Sequence, residues 1–241
     1  MRLDKYISMC DVMGRSESKK AIMSGKVTVN GFTRTDPGFQ VSPDTAFVEV
    51  ESNPIFYKRF AYIMLNKPKG YVSATTDSRF PTVMDLLDDW CIRRKMFPVG
   101  RLDRDTTGLL LITDDGGLAH DMTSPRRHVE KIYHAQIDRI INEDDIKAFR
   151  EGMRFKDFIS ELARLEYLRK LDKGRHLVQV TLTEGKYHQV KRMFAARGKN
   201  VLELKRVTFG KLMLDDKLPE GRWRELTKKE LDSLKVKDPL L

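Results

Sequence analysis

Beyond residue 61 the sequence contains many short apolar segments that do not alternate regularly with helices. Seven of them have the length and composition of strands: AYIMLN, YVSAT, GLLLIT, KIYHAQID, ELARLEYL, HLVQVTLT and VLELKRVTF. Segments typical of helices are TVMDLLDDW, EDDIKAFREG, YHQVKRMFAARG and residues 227–235. Strands in this number, without a regular alternation with helices, predict an α+β fold with a mixed, largely antiparallel sheet.

The N-terminal part has a different pattern, which predicts a small α/β domain. Residues 3–10 place apolar side chains at helical spacing, and Ser16 is a candidate cap for a second helix that ends near Gly25. KVTVNGFTR then alternates apolar and polar residues around Asn30-Gly31, which is a strong hairpin signal. TAFVEV supplies a further strand.

A chain of 241 residues is long enough for two unequal domains. The stretch ESNPIFYKRF, with a proline in its middle, is typical of a linker. We therefore expect one domain at residues 1–50, a linker at 51–60 and a second domain at 61–241. The content of 40% hydrophobic residues and the mean hydropathy of -0.48 are typical of a soluble protein with a core of its own.

The charge of the chain points to a polyanionic partner. The formal net charge is +10, and the basic residues occur in patches: residues 1–34 carry seven Lys or Arg against three acids, and 184–211 carry eight against two. Such patches are typical of nucleic-acid binding. No apolar run approaches the roughly 20 residues that a membrane helix needs, and charges interrupt the N-terminus. With Cys10 and Cys91 far apart, we expect a cytoplasmic monomer with free thiols and no membrane contact.

The segment VGRLDRDTTGLLLITDD, residues 99–115, concentrates four aspartates in a basic protein. Asp103, Asp105 and Thr107 match the first ligand positions of a calcium loop. Such a loop needs a bidentate Glu at position 12, where this chain has Asp114, and apolar LLLI stands in place of the remaining ligands. A calcium site is therefore not the interpretation we favour.

The same residues fit D-x-D-x-T, which is typical of magnesium-dependent phosphatases of the haloacid dehalogenase type. A later acidic pair, Asp215-Asp216, fits that hypothesis as well. Against it, Pro98 and Gly100 interrupt the strand that would carry the nucleophile, and the motif lies late in the chain. A third interpretation is structural: Asp114-Asp115 would form a turn and cap before a helix, and Asp105 would bond to backbone amides of its own loop. Asp103 remains the aspartate with a candidate function.

GRLDRDTTGLLLIT resembles the central motif of the pseudouridine synthases of the RsuA/RluA superfamily. LNKPKG, EKIY, EGKYHQVKRMF and VLELKRVTFG resemble further motifs of that superfamily in the same order. The N-terminal RLDKYI and SKKAIMSGKVTVNG resemble the S4 RNA-binding domain. The resemblance covers nearly the whole chain and is greatest to the RsuA branch, whose members act on ribosomal RNA.

The resemblance implies the roles of several residues. Asp103 would be catalytic, acting as a nucleophile or in the loss of a ribose proton. Lys191, where related branches have arginine, would be its basic partner, and Tyr133 would stack on the target base. Leu204 would pack under that base, while Arg101 would fill the space that the uridine leaves in the RNA. His188 belongs to the motif without being catalytic and would orient its loop.

The expected reaction converts a uridine of ribosomal RNA to pseudouridine within a pre-ribosomal small-subunit particle. Since the reaction neither gains nor loses atoms, we expect no cofactor and no metal. Alternatives are the same chemistry on large-subunit RNA, a non-catalytic RNA-binding or ribosome-assembly factor, and the magnesium phosphatase. The candidate RNA-binding residues are basic side chains in both domains: Arg15, Lys19, Lys20, Lys26, Lys67 and Arg192.

Overall fold

The computed structural model describes residues 1–10 and 12–235. The chain forms two compact units, which we describe separately. The first contains Met1–Ala61 together with Asp88–Met96, and the second contains residues 62–87 and the chain from residue 97 onward. None of the helices in the described part of the chain is long and apolar enough to cross a membrane.

The first unit packs helices on a four-stranded antiparallel sheet with the order β2-β1-β3-β4. Leu3 and Ile7 from the first helix and Ile22 from the second are fully buried in its core, as their helical spacing predicts. The elements of this unit are α1 Leu3–Met9, α2 Arg15–Met23, β1 Val27–Val29, β2 Phe32–Thr33, β3 Val48–Val50, β4 Asn53–Ile55 and α3 Asp89–Arg93.

The predicted hairpin at Asn30-Gly31 is confirmed, since both residues have positive φ angles, 52° and 80°, between β1 and β2. The predicted cap at Ser16 is wrong. Helix α2 begins at Arg15, one residue before Ser16, and Gly14 is its N-cap residue. The N–H of Gly14 donates to the Glu17 carboxylate at 2.8 Å. Strand β4 falls inside the range 51–60, which the sequence suggests as a linker; the domain bounds stay a prediction.

The second unit is built on a nine-stranded sheet with the order β13-β5-β7-β11-β8-β10-β9, on which β6 pairs with β7 and β12 with β11. Of the pairings between its described strands, β7 with β11 is parallel and the others are antiparallel, which confirms the predicted mixed, largely antiparallel α+β fold. The strands are β5 Tyr62–Lys67, β6 Phe97–Pro98, β7 Thr107–Thr113, β8 Lys131–Ile137, β9 Arg164–Lys170, β10 His176–Leu182, β11 Val201–Phe209, β12 Leu212–Met213 and β13 Trp223–Glu225.

The helices of this unit are α4 Gly116–Thr123, α5 Glu143–Glu151, α6 Gln189–Ala196 and α7 Lys228–Lys235, with 3₁₀ turns at Val83–Leu86, Pro125–Arg127 and Asp172–Gly174. As predicted, Asp115 is a helix cap: its carboxylate accepts the N–H groups of Gly117 and Leu118. The predicted strand YVSAT does not form. Its Val72 makes only an isolated bridge with Thr82.

Gly108 fixes how closely strands β7 and β11 approach each other. Its φ is +98°, and a Cβ at this position would collide with the backbone of Arg206 on β11. Only glycine tolerates both the angle and the contact. Because β7 and β11 run parallel here, with Thr107 opposite Lys205, the Asp103 loop that precedes β7 lies toward the N-terminal half of β11.

Candidate active site

A buried lysine, Lys67, holds the loop that carries Asp103 through hydrogen bonds to its backbone. The Lys67 amine donates to the backbone carbonyls of Asp103, Arg104 and Thr106 at 3.1, 3.3 and 2.8 Å, and also to that of Pro68 at 3.1 Å. Burial lowers the pKa of Lys67 to about 8, an effect that the nearby Asp105 and Asp103 oppose. Lys67 is fully buried, which contradicts the prediction that it contacts RNA.

Three further hydrogen bonds from the segment after Lys67 hold the same loop. The buried Ser73 hydroxyl accepts the N–H of Leu102 and donates to its carbonyl, both at 3.0 Å. The N–H of Gly70 donates to the carbonyl of Arg104 at 2.8 Å. The segment expected as a strand therefore bonds to the backbone of the Asp103 loop. These bonds hold the loop in place from within the protein.

Asp103 lies against two side chains from the region of helix α6. The Lys191 amine is 3.5 Å from its Oδ2, and the Nε2 of His188 is 3.7 Å from the same oxygen. The carboxyl retains 29% of its side-chain exposure, so it faces an open cleft. The predicted pairing of Asp103 with Lys191 is thus present in the geometry, and His188 contacts the same carboxylate.

Lys191 is shared between two aspartates. Its amine donates to Asp105 Oδ1 at 2.5 Å, a shorter contact than the one to Asp103. Burial alone would raise the pKa of Asp105, but the hydrogen bond and charge of Lys191 together hold that pKa below its ordinary value. The expectation that Asp105 bonds mainly to backbone amides of its loop is therefore corrected: its main partner comes from 86 residues further along the chain.

A buried polar network fixes the turn before α6. The Gln189 amide donates to the Glu184 carboxylate at 2.6 Å and accepts the N–H of Lys186 at 2.9 Å. Glu184 in turn accepts the N–H of Glu161 at 2.7 Å. His188 adopts a left-handed conformation, with φ at 52°, and ends this turn directly before the helix. The network places His188 and Lys191 on the side of α6 that faces Asp103.

Asp103 lines a small, open cleft. Tyr133 on β8 and Leu204 on β11 are buried in its wall, and the exposed Arg101 stands at its mouth. The structure therefore brings together all five residues for which the resemblance predicts catalytic or pocket roles. An apolar and aromatic wall beside a single paired carboxylate is suited to a planar base held next to a reacting group.

Arg206 is a member of the site that sequence reasoning missed. It is the register partner of Tyr133 on the neighbouring strand β8. Its Nε donates to the Leu109 carbonyl at 2.9 Å, and its guanidinium lies over the Phe209 ring at 4.5 Å. Burial lowers the pKa of Arg206, while Tyr133 opposes that shift. In the sequence LKRV this arginine looks like part of the basic surface patch, so no local signal marks it as buried.

The candidate RNA-binding residues of the first unit are exposed. Lys19 and Lys20 lie on α2. Arg15 is 3.5 Å from Asp4, and Lys26 pairs with Glu51 at 2.6 Å.

In the second unit Arg192 is already engaged within the protein. It pairs with Asp157, and its guanidinium lies 4.9 and 4.7 Å from the rings of Phe155 and Phe158. An RNA phosphate would have to share this arginine with an existing partner.

The carboxylates that the phosphatase hypothesis requires are not gathered at Asp103. Asp215 accepts from the Arg224 guanidinium at 2.8 Å and from the N–H of Lys217 at 2.9 Å. Within residues 1–10 and 12–235 no group of three acidic, histidine or cysteine side chains is arranged to hold a metal ion. The partners of Asp103 are a lysine and a histidine instead.

Comparison with known proteins gives the family. A family model described as RNA pseudouridylate synthase matches residues 61–196, and a model of the S4 domain matches residues 1–46. The chain belongs to the RNA pseudouridylate synthase family and is an isomerase of that class.

Relatives match over nearly the whole length. An uncharacterised RNA pseudouridine synthase of Bacillus subtilis is 42% identical over 97% of this chain and 98% of its own. The ribosomal small subunit pseudouridine synthase A of Escherichia coli is 40% identical over 97% of this chain and 100% of its own. A crystal structure of a pseudouridylate synthase has a TM-score of 0.66 at 37% identity and covers 97% of this chain and 99% of its own.

Proposed function

We propose that this enzyme isomerises one specific uridine of small-subunit ribosomal RNA, with Asp103 as the catalytic residue and without a cofactor. The observation that carries the catalytic assignment is the position of Asp103, at a cleft walled by Tyr133 and Leu204 and beside Lys191. The substrate assignment is supported by the similarity to the Escherichia coli and Salmonella proteins named ribosomal small subunit pseudouridine synthase A.

The reaction breaks the bond between uracil N1 and the ribose, turns the base and rejoins the ribose to carbon 5, whose proton is lost as N1 gains one. Asp103 contributes either by attack or by removing a ribose proton, and both roles need a negatively charged carboxylate. Lys191 places a positive charge 3.5 Å from it. His188, at 3.7 Å from the same oxygen, limits the orientations of the carboxyl group.

The cleft can bind the uracil only after it leaves the RNA stack. Extrusion of a nucleotide costs a few kcal/mol, which stacking on Tyr133 and packing on Leu204 would offset. Arg101, exposed at the mouth of the cleft, is placed to enter the space left in the RNA.

The S4 domain would hold the RNA backbone through the exposed Arg15, Lys19, Lys20 and Lys26. Phosphate contacts of this kind give affinity and register rather than sequence recognition. We further propose that the enzyme acts as a monomer in the cytoplasm, on the RNA within a pre-ribosomal particle.

Mapping of pseudouridines in ribosomal RNA, from cells with and without the protein, tests the substrate. We expect one small-subunit site to lose its modification and to regain it when purified enzyme acts on small-subunit particles. A lost site in the large subunit would replace the proposed substrate by the alternative. The absence of any lost site would favour a non-catalytic RNA-binding factor.

The Asp103→Asn variant tests the catalytic assignment on the same RNA. We expect no detectable isomerisation and RNA affinity within about threefold, because the amide is nearly isosteric but uncharged. Asp105→Asn is the matched control and should remain active. The wild-type enzyme should keep full activity in EDTA. Turnover by Asp103→Asn, or inhibition by EDTA, would contradict the mechanism.

A further inference from the structure

Tyr187 is an exposed aromatic residue on the rim of the active-site cleft. It is 73% exposed and is among the most exposed large apolar residues in the described chain. Its two neighbours in sequence, Lys186 and His188, line the cleft. A single exposed aromatic is common in proteins and needs no function by itself. The surroundings of this ring are what make it unusual.

The ring of Tyr187 stacks on the imidazole of His188, with the ring centres 3.8 Å apart and the planes 18° apart. The same imidazole lies 3.7 Å from the Asp103 carboxylate. One face of the phenol ring is therefore covered by histidine, and the high exposure of the residue leaves its other face open. Contact with His188, which in turn contacts the Asp103 carboxylate, fixes the direction of this open face before any ligand binds.

The backbone keeps this stack in place. His188 has a left-handed φ of 52°, and the following Gln189 is buried in hydrogen bonds to Glu184 and Lys186. A side chain that is already oriented loses less entropy when it binds a partner. The turn thus presents a preformed flat surface rather than a freely moving tyrosine.

We propose that Tyr187 is a stacking platform for an unpaired nucleobase that neighbours the reacting uridine in the RNA chain. The stacked base is not the uridine itself, because the phenol and imidazole rings both stand between that position and Asp103. Aromatic side chains bind unpaired bases of any sequence through their flat faces, and Lys186 beside the ring supplies charge for the phosphate. The inference rests on the proposed function, since it assumes that RNA occupies this cleft.

Binding of a fluorescein-labelled decamer of uridine, measured by anisotropy, tests the platform independently of the ribosomal target. We expect Tyr187→Ala to weaken binding about tenfold, and Tyr187→Phe to stay within twofold because the flat ring remains. Tyr167→Ala is the matched control: Tyr167 also packs on a histidine, His176, at 5.9 Å, but on strands β9 and β10 away from the cleft lining. It should bind like the wild type.

Steady-state kinetics on the mapped RNA substrate separates this inference from the catalytic proposal. Tyr187→Ala should raise KM about tenfold with little change in kcat, whereas Asp103→Asn removes turnover. An RNA with an abasic ribose next to the target should weaken the wild type and leave Tyr187→Ala with no further loss.

Three results would overturn the platform: a wild-type enzyme that does not bind the decamer, Tyr187→Ala binding as tightly as the wild type, or an equal loss in Tyr167→Ala. None of these would affect the assignment of Asp103. Conversely, an active Asp103→Asn variant would remove the catalytic proposal and leave the decamer measurement interpretable.

Discussion

The floor and the rim of the candidate active-site cleft are built in different ways. The floor, defined as residues 102–106 with Lys67 and Ser73, is held by buried bonds to backbone atoms. The rim, defined as residues 185–188 with Lys191, contributes side chains that remain partly or largely exposed. The floor thus fixes the position of Asp103 before RNA arrives, while the rim offers groups that RNA can contact. Substitutions in the floor should lower both kcat and stability, whereas those in the rim should change kcat or RNA affinity and leave stability nearly unchanged.

The largest effect is expected for Gly108→Ala, which separates the strands under the floor. The new Cβ would collide with the Arg206 backbone at a φ of +98°, so we expect the free energy of unfolding to fall by about 3 kcal/mol or more. Urea denaturation measures it. Gly116→Ala is the control, because its Cβ would meet no atom within 4 Å and its φ is not positive. Equal stability of the two variants would show that the close crossing is not needed.

Lys67→Met should give the next largest effect, since it removes the amine that donates to three backbone carbonyls of the Asp103 loop. We expect unfolding to become easier by about 2–3 kcal/mol and kcat to fall about 100-fold as the carboxylate shifts. The exposed Lys69, which pairs with Glu203 at 2.9 Å, is the matched control two residues away. If Lys69→Met lowered kcat as much as Lys67→Met, the floor would not be the cause.

Lys191→Met removes the cation beside Asp103 and leaves intact the backbone hydrogen bonds that hold the floor. We expect kcat to fall about 100-fold with stability nearly unchanged, because the proposed catalytic carboxylate loses one charged contact. Lys191→Arg keeps the charge and should recover most of the activity. Steady-state kinetics of both variants on the same RNA measures the difference. A fully active methionine variant would mean that the carboxylate needs no partner.

The smallest effect is expected for Asp105→Asn in the loop itself. The pKa of Asp105 is held below its ordinary value, so its ion pair stabilises the fold above pH 3.8 and is lost as pH falls through the lowered pKa. The exposed position limits the loss to under about 1 kcal/mol at pH 7. Unfolding at pH 7 and in acid should therefore show a small difference that disappears at the lower pH. A difference that persists in acid would mean that the pair is not electrostatic.

Local patterns predicted much of the fold because they depend on neighbouring residues. The alternation and turn residues around Asn30-Gly31 predict the hairpin that forms, and the apolar run LLLI predicts β7. YVSAT has the composition of a strand but does not form one, and its Ser73 hydroxyl bonds instead to Leu102, which lies 29 residues away. A local pattern contains no information about a partner that distant.

The site was predicted in the same partial way. The motif resemblance predicts Asp103, Tyr133, Lys191, Arg101 and Leu204, and the structure places all of them at one cleft or in contact with its carboxylate. It did not predict that Arg206 lies buried beside Tyr133. The residue type does not indicate whether a lysine or arginine is solvated or buried, because its environment is formed by other strands.

By itself, the sequence determined the kinds of elements, the basic character of the chain and the order of the motifs, because these properties depend on composition and on neighbouring residues. Only the tertiary structure decided which charged groups meet. It buried Lys67 under the Asp103 loop and gave Lys191 two aspartates as partners. Those outcomes depend on how the strands pair, and that pairing brings together residues that are 36 to 88 positions apart in the two lysine contacts.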